Sequence, residues 1–126
     1  MGKLFVIVVL LLCIGCSNQV RKESKSDLIP HISEQMEFAV QLAESVKDSF
    51  FVSPRTIEDG HIKLVPGKDW TSGFFAGNLW MMFEMTGNDK WKTRALEFTL
   101  PLEQEQWDGG IHDFGFKMFN SFGKVY

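Results

Sequence analysis

The segment from Trp70 to Met85 restricts the fold more than any other part of this sequence. Arranged as a helix, it carries apolar side chains around most of its circumference and not on one face alone. Such a helix is buried on nearly all sides, so other parts of the protein must surround it. The apolar side chains that need cover are Phe74, Phe75, Leu79, Trp80, Met81, Met82, Phe83 and Met85.

Three further segments are predicted to be helical. Ser33 to about Phe50 repeats apolar residues at helical spacing, and Ser33 is its expected N-cap. The sequence Thr86-Gly87-Asn88-Asp89 is typical of a helix end followed by a new N-cap, so another helix is predicted from about Asp89. The last predicted helix runs from Phe114 to Tyr126.

Two loops separate the predicted helices. Phe51 to Asp69 contains two prolines and two glycines and is predicted to be a long connection, and Gln106 to Asp113 is centred on Gly109-Gly110. Buried helices alternate with more exposed ones, and the loops are unequal in length. This pattern indicates an all-α fold and suits an α/α toroid, in which inner helices are apolar and the loops at one end carry the site. A plain helical bundle is the alternative, and periodicity alone does not separate the two.

The first 16 residues are predicted to be a lipoprotein-type signal peptide. Lys3 supplies a positive charge, Leu4 to Leu12 is an unbroken apolar run, and the small Gly15 precedes Cys16. The run is too short to span a bilayer core of roughly 30 Å as a helix. Cys16 is therefore the expected lipidation site, with a plain secretory peptide as the alternative.

The rest of the chain divides into a predicted flexible tether, residues 17–30, and a predicted domain, residues 31–126. Export with a lipid anchor follows from the signal. The residues after the anchor contain no acidic run, which favours a periplasm-facing position in a Gram-negative bacterium.

Composition and charge exclude several classes of protein. Both cysteines lie in the predicted signal peptide, so the mature domain has no disulfide framework, no thiolate nucleophile and no cysteine-ligated zinc. Acidic residues outnumber basic ones by 16 to 13, and no basic stripe is present to neutralise phosphates. Nucleic acid is therefore not an expected partner, and no cofactor is predicted.

The strongest candidate for chemistry is the segment Trp107-Asp108-Gly109-Gly110-Ile111-His112-Asp113-Phe114-Gly115-Phe116. It places an imidazole and a carboxylate side by side in a glycine-rich turn at the start of a buried helix. Phe114 and Phe116 are expected to shield Asp113 from water on one side, as suits a carboxyl group that takes part in proton transfer. The alternative is that Asp113 merely caps the helix that follows it.

Two aromatic side chains complete the candidate site. His112 has no second histidine at helical ligand spacing, so no metal site is predicted and a hydrogen-bonding role is expected. Trp70 follows a loop and opens the buried helix, so its indole is expected to face a cavity and stack on a sugar ring, with ordinary core packing as the alternative. Gly73 and Gly77 lie four residues apart on one helical face and allow close contact with another helix.

Two of these segments resemble motifs of glycoside hydrolase family 88, the unsaturated glucuronyl hydrolases. Trp70-Thr71-Ser72-Gly73-Phe74-Phe75-Ala76-Gly77 resembles the family's W-x-x-G-F-x-x-G segment, and His112-Asp113-Phe114-Gly115-Phe116 resembles its H-D-x-G-F motif. Leu79-Trp80 and Thr86-Gly87 fall where the family continues into L-W and T-G. The resemblance covers Asp69 to Tyr126.

The resemblance implies an α/α six-hairpin toroid that removes an unsaturated glucuronic or other uronic acid from the non-reducing end of lyase-generated oligosaccharides. The family's reaction begins with hydration of the C4=C5 double bond. Asp113 matches one of two essential carboxylates and would hydrogen-bond the sugar hydroxyls. His112 would line the same subsite, and Trp70 would form an aromatic wall. The family's second aspartate, its principal general acid/base, has no match among these residues.

The sequence is therefore interpreted as the N-terminal part of a longer enzyme, inactive by itself. The predicted helices carry more apolar surface than their neighbours can cover, and monomers seldom expose apolar patches above a few hundred Å2. A small obligate oligomer would also cover this surface. Two other functions stay open: a non-catalytic glycan-binding lipoprotein with Trp70 and Trp107 as a stacking platform, and another toroid enzyme such as a polysaccharide lyase.

Overall fold

The computed structural model describes residues 25–110 and 112–125. The predicted signal peptide, residues 1–16, with its lipidation site Cys16, lies outside the described residues, as does most of the predicted tether. No helix in the described part of the chain is long and apolar enough to cross a membrane. The elements in chain order are α1 (Lys25–Val46), β1 (Phe51–Glu58), β2 (His61–Pro66), α2 (Ser72–Thr86), α3 (Asp89–Thr99), a long 3-10 helix (Leu100–Trp107), α4 (Phe114–Ser121) and a short 3-10 helix (Phe122–Lys124).

The first helix differs from its prediction at both ends. It begins at Lys25, so Ser33 lies inside it and is not its N-cap, and residues 25–30, assigned above to the tether, are helical. The helix ends at Val46 because the chain then turns: one carboxylate oxygen of Asp48 accepts hydrogen bonds from the amides of Phe50 and Phe51, at 2.7 and 2.6 Å.

A β-hairpin occupies the region predicted to be a long connection, and that prediction was wrong. Strands β1 and β2 pair antiparallel, with Ile57 opposite Ile62. Asp59 and Gly60 connect them, both with positive φ, 50° and 78°. Asp-Gly is a preferred sequence for such two-residue turns because its residues tolerate this left-handed backbone. The register is irregular around Pro54, whose missing amide hydrogen cannot join a regular ladder.

The core lies between α2 and its neighbours α1 and α3. Trp80 in α2 donates from its indole nitrogen to the hydroxyl of Thr99 at 3.1 Å, which satisfies a polar group inside the core. Phe74, Met81 and Met85 remain exposed, so the expected burial of α2 on nearly all sides is only partly met within the described residues. The buried core cluster consists of Val40, Ala43, Phe75, Ala76, Leu79, Trp80, Met82, Trp91, Ala95 and Phe98.

Helices α2 and α4 pack in parallel through the two glycines of α2, which confirms the predicted close contact. A Cβ atom added at Gly73 would collide with the backbone carbonyl of Lys117, and one added at Gly77 would lie 2.9 Å from the carbonyl oxygen of Asn120. The contacts advance along both helices in the same direction. The N-terminal ends of α2 and α4 therefore lie side by side, and the residues that precede them share one end of the molecule.

Candidate active site

Trp70 and Asp113 lie at this shared end. Trp70 precedes the contact residue Gly73 by three positions, and Asp113 precedes its partner Lys117 by four. The two motif segments, predicted separately, are therefore brought to the same end of a pair of adjacent helices.

Asp113 stands beside an open cleft of about 450 Å3. Its side chain is 39% exposed, and it occupies the N-cap position of α4 without a capping hydrogen bond from that side chain. The backbone carbonyl of Asp113, not its carboxylate, accepts from the amides of Phe116 and Lys117. Among the described residues the Asp113 side chain makes no capping hydrogen bond, so the alternative that Asp113 serves only to cap the helix has no support.

His112 is the neighbour of this carboxylate. Its Nδ1 lies 3.3 Å from Oδ1 of Asp113, and the imidazole is otherwise almost fully exposed. The cleft has two aromatic walls, Phe116 and Phe119, both on α4 and both exposed. Phe116 lines the same cleft as Asp113, whereas Phe114 does not. The lining residues are His112, Asp113, Gly115, Phe116 and Phe119.

Trp70 is not an ordinary core residue. The residue is 44% exposed, and its ring meets that of Phe74 edge to face at 5.9 Å between centroids. Trp70 does not line the cleft beside Asp113. Its position at the same end and its partial exposure suit a stacking surface for a planar or ring-shaped ligand.

The carboxylate of Asp69 anchors the backbone on either side of Trp70. One oxygen of Asp69 accepts from the amide and the hydroxyl of Thr71, at 2.8 and 2.6 Å. The other accepts from the guanidinium of Arg55 in β1, at 3.1 Å. The β-hairpin, which the sequence did not predict, thus helps to hold the loop that carries Trp70.

Lys117 and Glu105 beneath the site were missed in the sequence analysis. Lys117 is completely buried, and its ammonium donates to the carbonyl oxygen of Gly67 at 3.1 Å. No local signal marked Lys117 as buried, because its neighbours on the helix include the polar Asn120 and Ser121. Within residues 25–110 and 112–125, no group of three or more histidine, cysteine or acidic side chains is arranged to hold a metal ion.

Comparison with known proteins finds relatives among the enzymes that the two sequence motifs resemble. No family model matches the chain. A curated protein named unsaturated glucuronyl hydrolase, from Formosa agariphila, is 50% identical over 60 residues, which are 48% of this chain and 15% of that protein. A crystal structure of an unsaturated glucuronyl hydrolase specific for heparin superposes with a TM-score of 0.66 and 32% identity, over 79% of this chain and 27% of the other. The predicted resemblance to unsaturated glucuronyl hydrolases is confirmed.

The similarity also confirms the fold class. The described chain is mostly helical and matches an enzyme of the α/α-toroid class, with a small two-stranded sheet in addition. The names of both relatives support the predicted glycoside hydrolase class. The chain spans 27% of the structural relative and 15% of the curated one, less than a third of either.

Proposed function

We propose that this chain forms the N-terminal part of an unsaturated glucuronyl hydrolase. The enzyme would remove an unsaturated uronic acid from the non-reducing end of oligosaccharides that polysaccharide lyases release. The observation that carries this proposal is the carboxylate of Asp113, which does not cap its helix and stands in an aromatic-lined cleft at the end where α2 and α4 begin.

The proposed reaction consumes one water molecule. A proton adds to C4 of the unsaturated sugar and a hydroxyl group adds to C5, which converts the vinyl ether into a hemiketal. The hemiketal opens to a ketone at C5, which leaves C1 as a hemiacetal, and collapse of that hemiacetal to an aldehyde breaks the glycosidic bond and releases the remaining saccharide as an alcohol. A positioned carboxyl group suits such a proton transfer and contributes a rate factor of about 10²–10⁴.

Each proposed role uses a property of the observed side chain. Asp113 accepts hydrogen bonds from the sugar hydroxyls and supports a second carboxyl group, the general acid/base, which comes from outside these residues. His112 lines the same subsite, beside the carboxylate at 3.3 Å. Trp70 presents its exposed ring as the aromatic wall. No cofactor is assigned to the reaction.

The test is an assay of the product of the complete open reading frame with an unsaturated disaccharide. Loss of the ultraviolet absorbance of the C4=C5 bond is expected, and Asp113→Asn removes most of it. Asp108→Asn is the matched control, because Asp108 lies in the same loop and, among the residues that the structure describes, its Oδ1 accepts only from the amide of Gly110, which an asparagine also allows. The 126-residue chain alone is expected to be inactive. Full activity in the Asp113→Asn variant would overturn the role of Asp113.

We also propose that Cys16 carries a lipid that holds the exported enzyme at a membrane, facing the periplasm. Labelling of cells with a radioactive fatty acid checks this. Cys16→Ser is expected to abolish incorporation, and Cys13→Ser, three residues earlier, is expected to retain it. Incorporation that is unchanged in Cys16→Ser would favour a plain secretory peptide.

A non-catalytic glycan-binding lipoprotein is the second candidate, favoured by the 84% exposure of Trp107. In that case Trp70 and Trp107 would stack on sugar rings without turnover. Titration calorimetry of the complete protein with a saturated and an unsaturated disaccharide separates the two. Binding of both sugars with no loss of absorbance from the unsaturated one would favour this second function.

A further inference from the structure

Lys117 is a buried charge directly beneath the candidate site. Its side chain is 0% exposed, and its ammonium lies 3.5 Å from a carboxylate oxygen of Glu105, whose side chain is 15% exposed. Removing an ammonium group from water is unfavourable unless hydrogen bonds and an opposite charge compensate for it. Lys117 has both, because it also donates to the carbonyl oxygen of Gly67.

The carbonyl of Gly67 is the centre of a small polar network. Besides the ammonium of Lys117 it accepts from the hydroxyl of Ser72, at 2.8 Å. The carbonyl of Ser72 in turn accepts from the hydroxyl of Ser53, at 2.7 Å, and both serines are buried. The network therefore joins β1, the start of α2, the loop between β2 and α2, and α4.

Lys117 contacts both motif segments of the site. Its amide donates to the backbone carbonyl of Asp113, and its own carbonyl packs against Gly73. Its ammonium holds Gly67, three residues before Trp70. One residue thus joins the turn that carries Asp113 to the loop that carries Trp70.

Stability alone does not explain an ion pair at this position. Replacing a buried ion pair by apolar residues of similar volume is often neutral or stabilising. What apolar residues cannot supply is a directional bond to a particular carbonyl oxygen, such as that of Gly67.

We propose that Lys117 and Glu105 are positioning residues, a buried pair that fixes the Asp113 turn relative to the Trp70 loop. This inference rests on the proposed function, in which both segments line one sugar pocket. The pair acts through other residues and does not touch the substrate. A misplacement of about 1 Å can reduce turnover about 100-fold.

The decisive variant is the double replacement Lys117→Met/Glu105→Met in the complete protein. It removes both charges together, so no uncompensated charge remains and the fold is expected to persist. We expect kcat to fall about 100-fold, with a much smaller change in KM, while the melting temperature stays near that of the wild type. The single variant Lys117→Arg keeps a buried cation beside Glu105. Its kcat is expected to lie between that of the double variant and that of the wild type. Wild-type kcat in the double variant would overturn the proposal.

The ion pair of Lys124 and Glu84 is the matched control. It links the segment after α4 to α2, at 3.1 Å, but near the opposite ends of these helices and at the surface. The same methionine replacements at Lys124 and Glu84 are expected to leave kcat unchanged. An equal loss of kcat in this control would show a general effect of helix pairing and would contradict a specific role for Lys117.

Amide hydrogen exchange provides a readout that does not depend on activity. In the Lys117→Met/Glu105→Met variant, we expect faster exchange at residues 67–73 and 113–117 together, with α3 unchanged. If the wild-type protein does not act on unsaturated uronides but exchange changes in this way, the proposed function fails and the positioning pair stands. Unchanged exchange in the two segments would overturn the pair whatever the activity.

Discussion

Asp69 and Asp113 precede two parallel helices in similar sequence surroundings, yet the structure treats their carboxylates differently. The side chain of Asp69 is 18% exposed, and both of its oxygens accept hydrogen bonds, from Thr71 and from Arg55. The side chain of Asp113 is 39% exposed, and among the described residues its carboxylate meets only His112. A carboxylate whose acceptor capacity is used by the fold stabilises a loop, whereas one that is left open can bind a ligand.

The aromatic neighbours show the same division. Beside Asp69, Trp70 packs against Phe74 and keeps part of its ring exposed. Beside Asp113, Phe116 and Phe119 stand in the open and form the walls of the cleft. The Asp69 side of this shared end is an aromatic surface held by the fold, and the Asp113 side is a carboxylate beside a cleft with aromatic walls. A pocket for a sugar needs both kinds of surface.

The largest expected effect is on catalysis by Asp113. Asp113→Ala in the complete protein is expected to lower kcat/KM by about 100-fold, because the sugar and the partner carboxyl group lose the carboxylate that positions them. The free energy of unfolding should change by less than about 0.5 kcal/mol, because the carboxylate does not cap the helix. Kinetics and urea unfolding measure the two quantities. A loss of stability comparable to that in Asp69→Ala would break the comparison.

The next largest effect concerns the contact that brings the two ends together. Gly73→Ala places a methyl group against the carbonyl of Lys117, so α2 and α4 must separate. Overpacking of this kind typically costs about 1–3 kcal/mol of stability. Gly109→Ala is the control, since its added Cβ meets nothing within 4 Å. Equal urea midpoints for the two variants would contradict the close packing of the helices.

A smaller effect is expected at Asp69. Asp69→Ala removes the bonds to Thr71 and Arg55 and is expected to cost about 1–2 kcal/mol of stability, since a typical hydrogen bond contributes about 0.5–1.5 kcal/mol and the exposed ion pair with Arg55 adds little. Asp69→Asn keeps an acceptor for the Thr71 amide and should lose less. Activity should fall only modestly, through greater mobility of Trp70. Thermal unfolding and fluorescence quenching of the tryptophans by acrylamide measure the two effects.

The smallest effect is the pH dependence due to Asp48, another aspartate whose carboxylate is occupied by backbone amides. Hydrogen bonds from the amides of Phe51 and Phe50 hold the pKa of Asp48 below its ordinary value of 3.8. The folded state therefore binds this proton more weakly than the unfolded state, so the stabilisation is present above pH 3.8 and is lost as the pH falls through the lower, folded pKa. Unfolding midpoints measured from pH 5 downward should fall more steeply in the wild type than in Asp48→Asn. Parallel curves would show that these bonds do not contribute.

The local signals of the sequence were sufficient for several elements. Thr86-Gly87-Asn88-Asp89 predicted a helix end and a new start, and the structure has Gly87 at φ 63° and the Asn88 side chain accepting from the amide of Lys90 at 3.0 Å. The glycine pair of α2 predicted a close helix contact, and the contact is with α4. The two family motifs predicted the related enzymes. These features depend on residues a few positions apart, so they can be recognised without a fold.

The hairpin shows where local reasoning chose the wrong signal. The two prolines and two glycines of the segment 51–69 predict an irregular connection, although Asp59-Gly60 between two runs that contain β-branched residues favours a two-residue hairpin turn. Pro54 is accommodated at an irregular point of the register, and Pro66 lies at the end of β2. A proline at an irregular point or at the end of a strand removes no ladder hydrogen bond that the hairpin needs, so the turn sequence decides the local structure.

The sequence by itself determined the helical periods, the family resemblance and the identity of the candidate residues. Only the tertiary structure decided that the carboxylate of Asp69 is bound by the fold, because the cation that pairs with it is Arg55, fourteen residues away in a hairpin. The burial of Lys117 is likewise visible only in the tertiary structure, because the carbonyl oxygen that accepts a hydrogen bond from its ammonium lies fifty residues earlier, at Gly67. Hydrogen-bond partners at such separations are set by packing, and whether a carboxylate is available to a ligand depends on which donors the fold brings to it.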